Sequence, residues 1–145
     1  MVKPIIKWVG GKTQIIQQVL TKFPKQIENY YEPFCGGGSV FLNLLEHDII
    51  IKNIYINDIN ITLINMYKDI QNNPYELLNK INEHIKIFNG AEIHKKENKT
   101  RDGKDITNPK SFIEAKKYKK TYYYWLRNQY NNMEECLEKS SLFII

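Results

Sequence analysis

Residues 28–60 read ENYYEPFCGGGSVFLNLLEHDIIIKNIYINDIN, and the fold turns on this stretch. Its form is strand, glycine turn, helix, second strand, and an acidic residue where that strand ends. Tyr30 and Tyr31 lead into Phe34, an aromatic run that predicts a buried strand. Gly36, Gly37 and Gly38 let the backbone turn sharply and lie close to a ligand, because no Cβ intervenes. Ser39 is placed to cap the following helix, for which Val40, Leu42, Leu44 and Leu45 supply apolar surface. Ile54, Tyr55 and Ile56 predict the second strand, which ends at Asp58. In open α/β sheets ligands bind beyond the carboxyl ends of the strands, which is where Gly36–Gly38 and Asp58 would meet. A carboxylate there can accept hydrogen bonds from the two ribose hydroxyls of a nucleoside-bearing cofactor. Which cofactor is left open. The dinucleotide fingerprint would require a third glycine at position 41, where Phe41 stands. The plainer alternative is a structural turn with a helix-capping aspartate.

Upstream, Gly10-Gly11-Lys12 precedes Ile15, Ile16, Val19, Leu20 and Phe23, spaced for one face of a helix. Free N–H groups at such a helix start, with Lys12 beside them, could hold a carboxylate or phosphate. Gly11-Lys12-Thr13 is not a P-loop, since the glycine needed five positions earlier is Ile6. Trp8 could stack on a ligand or pack in the core, and composition alone favours packing.

Downstream, a helix is expected from about Asn60 to Ile70, and another from Tyr75 to Phe88. Pro74 stands in the second one's first turn, and Leu77, Leu78, Ile81, Ile85 and Phe88 form its stripe. Residues 91–110 are polar and Lys-rich and read as a loop. A long helix follows from Ser111 to Asn131, with Ala115, Tyr118, Tyr122, Trp125, Leu126 and Tyr130 on its apolar side; a last helix starts near Met133 or later. The first half alternates helix and strand and the second is helical. This predicts an α/β portion over residues 1–72 and a helical portion over 73–145.

Between Lys95 and Lys120 there are ten Lys/Arg and four Asp/Glu, an excess of six positive charges, whereas the whole chain carries +5. The remainder is therefore close to neutral. Such a segment suits a polyanionic partner or a solvated charged face. The two cysteines, Cys35 and Cys136, show no CxxC pairing and no nearby His cluster, so neither a disulfide framework nor a zinc site is indicated. No apolar run approaches a membrane span and no h-region opens the chain, so a soluble, reducing, cytoplasmic setting is the default.

Three motifs together resemble one family, the Dam-type or D12 class N6-adenine DNA methyltransferases. KWVGGK at 7–12 is similar to that family's N-terminal motif, EPFCGGGSVF at 32–41 to its cofactor glycine motif, and YINDIN at 55–60 to its acidic motif. The likeness is specific over about residues 3–70 and diffuse beyond. It implies S-adenosyl-L-methionine as cofactor, a Rossmann-like fold, double-stranded DNA as partner, and no metal. By the family pattern Trp8 and Lys12 contact the cofactor, Phe34 and the backbone at Gly36 and Gly38 line its pocket, and Asp58 binds the ribose. The Lys95–Lys120 segment and the aromatics after it fall where the family's DNA-recognition region is inserted. Lysines can hold phosphates there, while the aromatic stripe at helical spacing is expected to pack in a core.

One departure stands out. The family's Asp-Pro-Pro-Tyr motif, which holds the flipped adenine, does not occur in this sequence. Asn72-Asn73-Pro74-Tyr75 is the nearest string, and it fits a helix start better. The chain stops in Leu142-Phe143-Ile144-Ile145, in the middle of an apolar run. The expectation is therefore an N-terminal part of such an enzyme, truncated or split, with no residue assigned as catalytic. The rivals are a half-enzyme whose missing motif comes from a second chain, a binding protein without turnover, and a remnant that no longer folds stably.

Overall fold

The computed structural model describes residues 1–93 and 107–145. The chain divides into two compact units, Met1–Ile64 and Asn65–Ile145.

The first unit holds α1 (Ile16–Leu20), β1 (Gln26–Glu32), α2 (Phe41–Glu46) and β2 (Ile50–Ile56). β1 and β2 pair in parallel, with Gln26 opposite Ile50 and Glu32 opposite Ile56. A parallel pair needs a crossover, and α2 supplies it. Ile16, Leu20, Val40 and Leu44 form the core, with Val19, Phe23, Tyr30, Ile49 and Ile51 packed around them. The unit is thus mixed α/β with a two-stranded parallel sheet.

Three expectations for this unit are corrected. The helix after Lys12 is only five residues long. Ile16 and Leu20, one turn apart, are its buried residues, and the β-branched Thr13, Ile15 and Ile16 favour helix propagation weakly. Tyr31 and Phe34 do not belong to a buried strand: they are 65% and 85% exposed. Side chains alternate along a strand, and Tyr30 takes the core side, its ring 5.8 Å from that of Phe23. Tyr31 therefore faces away and stacks on Tyr55 at 4.8 Å, while Phe34 lies past the strand's end. Ser39 does not cap α2. The helix starts at Phe41 with Val40 at the cap position and no side-chain cap bond from it.

The point of division falls inside α3 (Ile61–Asn72), whose first turn is closed by Asn60 Oδ1 accepting from the Leu63 N–H at 2.9 Å. The second unit continues with α4 (Pro74–Gly90), α5 (Phe112–Ala115), α6 (Lys119–Asn132) and α7 (Leu137–Ile144). Pro74 occupies the first turn of α4, where its missing N–H costs nothing. Ala115, Tyr122 and Leu126 are the buried centre, with Ile87, Phe88, Trp125 and Leu142 against them.

The long helix expected from Ser111 is two helices. Ser111 does open the first, its Oγ accepting from the Glu114 N–H at 3.3 Å. Glu92 then interrupts it: its N–H donates to Lys117 O at 3.0 Å and its carbonyl accepts from the Lys119 N–H at 2.9 Å. That bridge holds Tyr118 extended. The stripe expected on α4 is also revised. Leu78 and Ile85 are exposed, whereas Lys80 and His84 turn inward to a polar network.

Candidate functional site

The site is built at the carboxyl ends of β1 and β2. Beyond the formal strands the pairing continues, with the Asn57 N–H donating to Glu32 O and the Cys35 N–H to Asn57 O, both at 2.9 Å. The chain then turns through Gly36 at φ +50 and Gly38 at φ +79. Both lie in the left-handed region that side chains strain to adopt.

Asp58 holds this turn. Its Oδ2 accepts from the Gly36 N–H at 3.0 Å and its Oδ1 from the Asn60 N–H at 3.1 Å. The cap of α3 is Asn60, so Asp58 is a link between two loops rather than a helix cap. An ionised carboxylate has about four acceptor positions, so two accepted bonds leave room for hydroxyl donors.

The N-terminal stretch crosses the turn. A Cβ on Gly36 would stand 2.8 Å from Trp8 Cδ1, and one on Gly37 would stand 3.1 Å from both Ile6 O and Trp8 Cβ. The glycines are thus needed for the approach of Trp8 as well as for the backbone angles. Buried Asn43 on α2 pins the same stretch, accepting from the Val2 N–H at 2.9 Å and donating to Val2 O at 3.0 Å.

The outcome is a cleft of roughly 290 Å³. Of the residues expected from sequence, Trp8, Lys12, Phe34, Gly36 and Asp58 all line it. Gly38 is buried within the turn and does not line this cleft. The expected anion site at a helix start beside Lys12 is not formed, because α1 begins only at Ile16.

Glu32 also lines the cleft and was not singled out from sequence. Its Oε2 accepts from the Tyr30 hydroxyl at 2.9 Å and from the Phe41 N–H at 3.1 Å. Burial raises its pKa against those two bonds and the nearby Lys12 charge, which act the other way. Burial likewise pushes the Cys35 thiol up to about 11, helped by the charges of Asp58 and Glu32. A signal for Glu32 was present: like Asp58, it is an acid at the carboxyl end of a strand. Chemically, the cleft can accept from paired hydroxyls at Asp58, offer the exposed Phe34 ring to a planar group, and meet an anion with Lys12. This donor set fits an amino-acid-bearing nucleoside.

Of the basic segment, Lys95, Lys96, Lys99, Arg101 and Lys104 lie outside the described residues. Lys116, Lys117 and Lys119 stand over the rings of Phe112, Tyr118 and Phe88 at 5.6, 5.4 and 5.0 Å. Lys119 and Lys120 occupy the first turn of α6, the positive end of the helix dipole. Tyr122 is fully buried, as the packing reading of the aromatic stripe expected; Tyr123 is exposed. No helix among the described residues is long and apolar enough to cross a membrane.

A family model for the D12 class N6 adenine-specific DNA methyltransferases matches residues 8–145. Type II methyltransferase M.MjaIII of Methanocaldococcus jannaschii is 41% identical over 85 residues, 55% of this chain and 29% of that protein. Type II methyltransferase M1.LlaDCHI of Lactococcus lactis is 34% identical over 82 residues, 57% of this chain and 27% of that protein. The DNA adenine methylase of Haemophilus influenzae is 28% identical over 142 residues, 98% of this chain and 38% of that protein. The match therefore spans well under half the length of each of these relatives. With three family motifs converging on one cleft and the family model covering nearly the whole sequence, this chain belongs to the D12 class of N6 adenine-specific DNA methyltransferases.

Proposed function

We propose that this chain is the S-adenosyl-L-methionine-holding N-terminal part of a site-specific DNA adenine-N6 methyltransferase. In this reading residues 1–72 form part of a Rossmann-like cofactor domain, and residues 73–145 belong to a DNA-recognition segment. The observation that carries it is the convergence of Trp8, Lys12, Phe34, Gly36 and Asp58 on one cleft at the carboxyl ends of two parallel strands. Asp58 would accept from the ribose hydroxyls while keeping its bonds to Gly36 and Asn60. Phe34 and Trp8 would bound the pocket, and Lys12 would face the carboxylate of the amino-acid moiety. When bound there, the cofactor supplies a sulfonium methyl group. No side chain of this sequence is assigned a catalytic role, and Asp-Pro-Pro-Tyr does not occur in it.

The test is calorimetric titration of the purified chain with S-adenosyl-L-methionine. Binding is expected, with Asp58→Ala weakening it by about tenfold or more, the loss of a hydrogen-bonded charged acceptor. Unchanged affinity in Asp58→Ala would remove its ribose role. For the second portion, the excess of six positive charges between Lys95 and Lys120 supports a phosphate partner. Affinity for duplex DNA should fall steeply with salt, and a flat response would end that part of the reading. Retained binding with no methylation by any full-length context would favour a binding protein over an enzyme.

A further inference from the structure

The glycine turn is closed by two carboxylates that do different work. Asp58 takes the middle of the turn, at the Gly36 N–H. Glu32 takes its two ends: it is the last residue of β1, and its side chain accepts from the N–H of Phe41, the first residue of α2. Since no side chain at the cap position of α2 forms a cap bond, this bond supplies the first turn with a side-chain acceptor. The Tyr30 hydroxyl, donating to the same oxygen, fixes the side chain's direction. Phe41 and Leu44 are buried, so the start of α2 cannot shift without disturbing the core.

We infer that Glu32 is a positioning residue for the cleft, joining the end of β1 to the start of α2 so that the glycine turn holds its shape before any ligand arrives. This role rests on the reading of the cleft as a cofactor site, but it makes a separate demand. Positioning needs an acceptor oxygen at the right reach and does not need the charge. The titratable groups facing Glu32 are Tyr30, Lys12 and Cys35, and Asp58 lines the same cleft. Its two bonded donors, Tyr30 and the Phe41 amide, are both neutral. Burial without a bonded counter-charge suits an acceptor more than an ionic contact. A direct ionic contact from Glu32 to an ammonium group of the ligand would make the opposite demand, for charge above reach.

Two variants separate these demands. Glu32→Gln keeps the reach without the charge; Glu32→Asp keeps the charge but is one methylene short of the Phe41 N–H. The readouts are hydrogen exchange at the Phe41 and Gly36 amides of the free chain, and calorimetric titration with S-adenosyl-L-methionine. Glu32→Gln should keep both amides protected and the affinity within about threefold, and Glu32→Asp should deprotect Phe41 and weaken binding about tenfold, the scale of one hydrogen bond to a carboxylate. The inference is overturned if Glu32→Gln loses binding while Glu32→Asp retains it, or if Phe41 stays equally protected in Glu32→Asp. Should Glu32→Asp fail to fold, the Gln variant decides alone: loss of Phe41 protection or of affinity in it refutes positioning. If the unsubstituted chain binds no S-adenosyl-L-methionine, the cofactor reading falls, and the exchange measurements on the free chain still decide whether Glu32 sets the turn.

Discussion

Glu32 in the first unit and Glu138 in the second are both partly buried glutamates, and their surroundings push them in opposite directions. Burial acts upward on each. At Glu32 it prevails, because the bonded partners are a hydroxyl and a backbone N–H. At Glu138 it is outweighed. Lys80 Nζ reaches Oε2 at 2.9 Å and His84 Nε2 reaches Oε1 at 2.8 Å, and the pKa ends lowered. His84 continues to the Tyr122 hydroxyl at 2.8 Å, whose own pKa is pushed up to about 12 by burial and then by the Glu138 charge. The comparison teaches that burial alone does not set the sign of a carboxylate's shift; the charge of its partners does.

The signs carry through to stability. A raised folded pKa means that the contribution of Glu32 is full below the ordinary carboxylate range and is lost as pH rises through its folded value. A lowered one means that the contribution of Glu138 is present above that range and is lost as pH falls through its folded value. Through these two groups, acid favours the first unit and disfavours the second.

The strongest way to break the comparison is Glu138→Ala. It strips Lys80 and His84 of their shared partner and should cost the second unit about 2 kcal/mol in denaturant unfolding, short of the fully buried figure because Glu138 is 31% exposed. An unchanged midpoint would show that Lys80 and His84 are indifferent to it. A finer test is Glu32→Gln followed against pH. At neutral pH the variant should be the more stable form, since it keeps the acceptor and removes a buried charge. That advantage should shrink as pH falls and Glu32 itself becomes neutral; an advantage constant across pH would mean that its charge is not what burial penalises. The smallest effect belongs to Lys52→Gln. Lys52 meets Glu28 across the two strands at 2.6 Å, but the pair is 70% and 69% exposed. Its loss should change stability by less than about 0.5 kcal/mol, and a larger change would mean that solvent screens the sheet surface less than the comparison assumes.

What the sequence revealed was what is local in it. A strand, three glycines, a helix and a strand ending in an acid specify a parallel pair and a cleft at its end, because each signal lies within a few residues of its partner. The meeting of Trp8 with Gly36 is longer in range: composition alone favoured packing for Trp8, and the resemblance to a family implied one pocket for both residues without naming their contact. Other features depend on partners that the local pattern does not name. Glu32 finds its donor nine residues later, past the turn. The helix after Ser111 is broken by Glu92, which is distant in sequence. The inward face of α4 carries His84 because Glu138 and Tyr122 are there to satisfy it, and a stripe count over one helix cannot include them. Tyr31 and Phe34 look buried by composition, and only the direction taken by Tyr30 shows otherwise.

The sequence contains two tryptophans, and each compact unit holds one: Trp8 against the glycine turn, Trp125 against the core around Tyr122. The two indoles are therefore natural optical labels, one per unit. With Trp125 replaced by Phe, the remaining tryptophan emission would come from the edge of the cleft alone. Melting of that unit, and any quenching as a ligand enters beside the ring, could then be followed without attaching a dye.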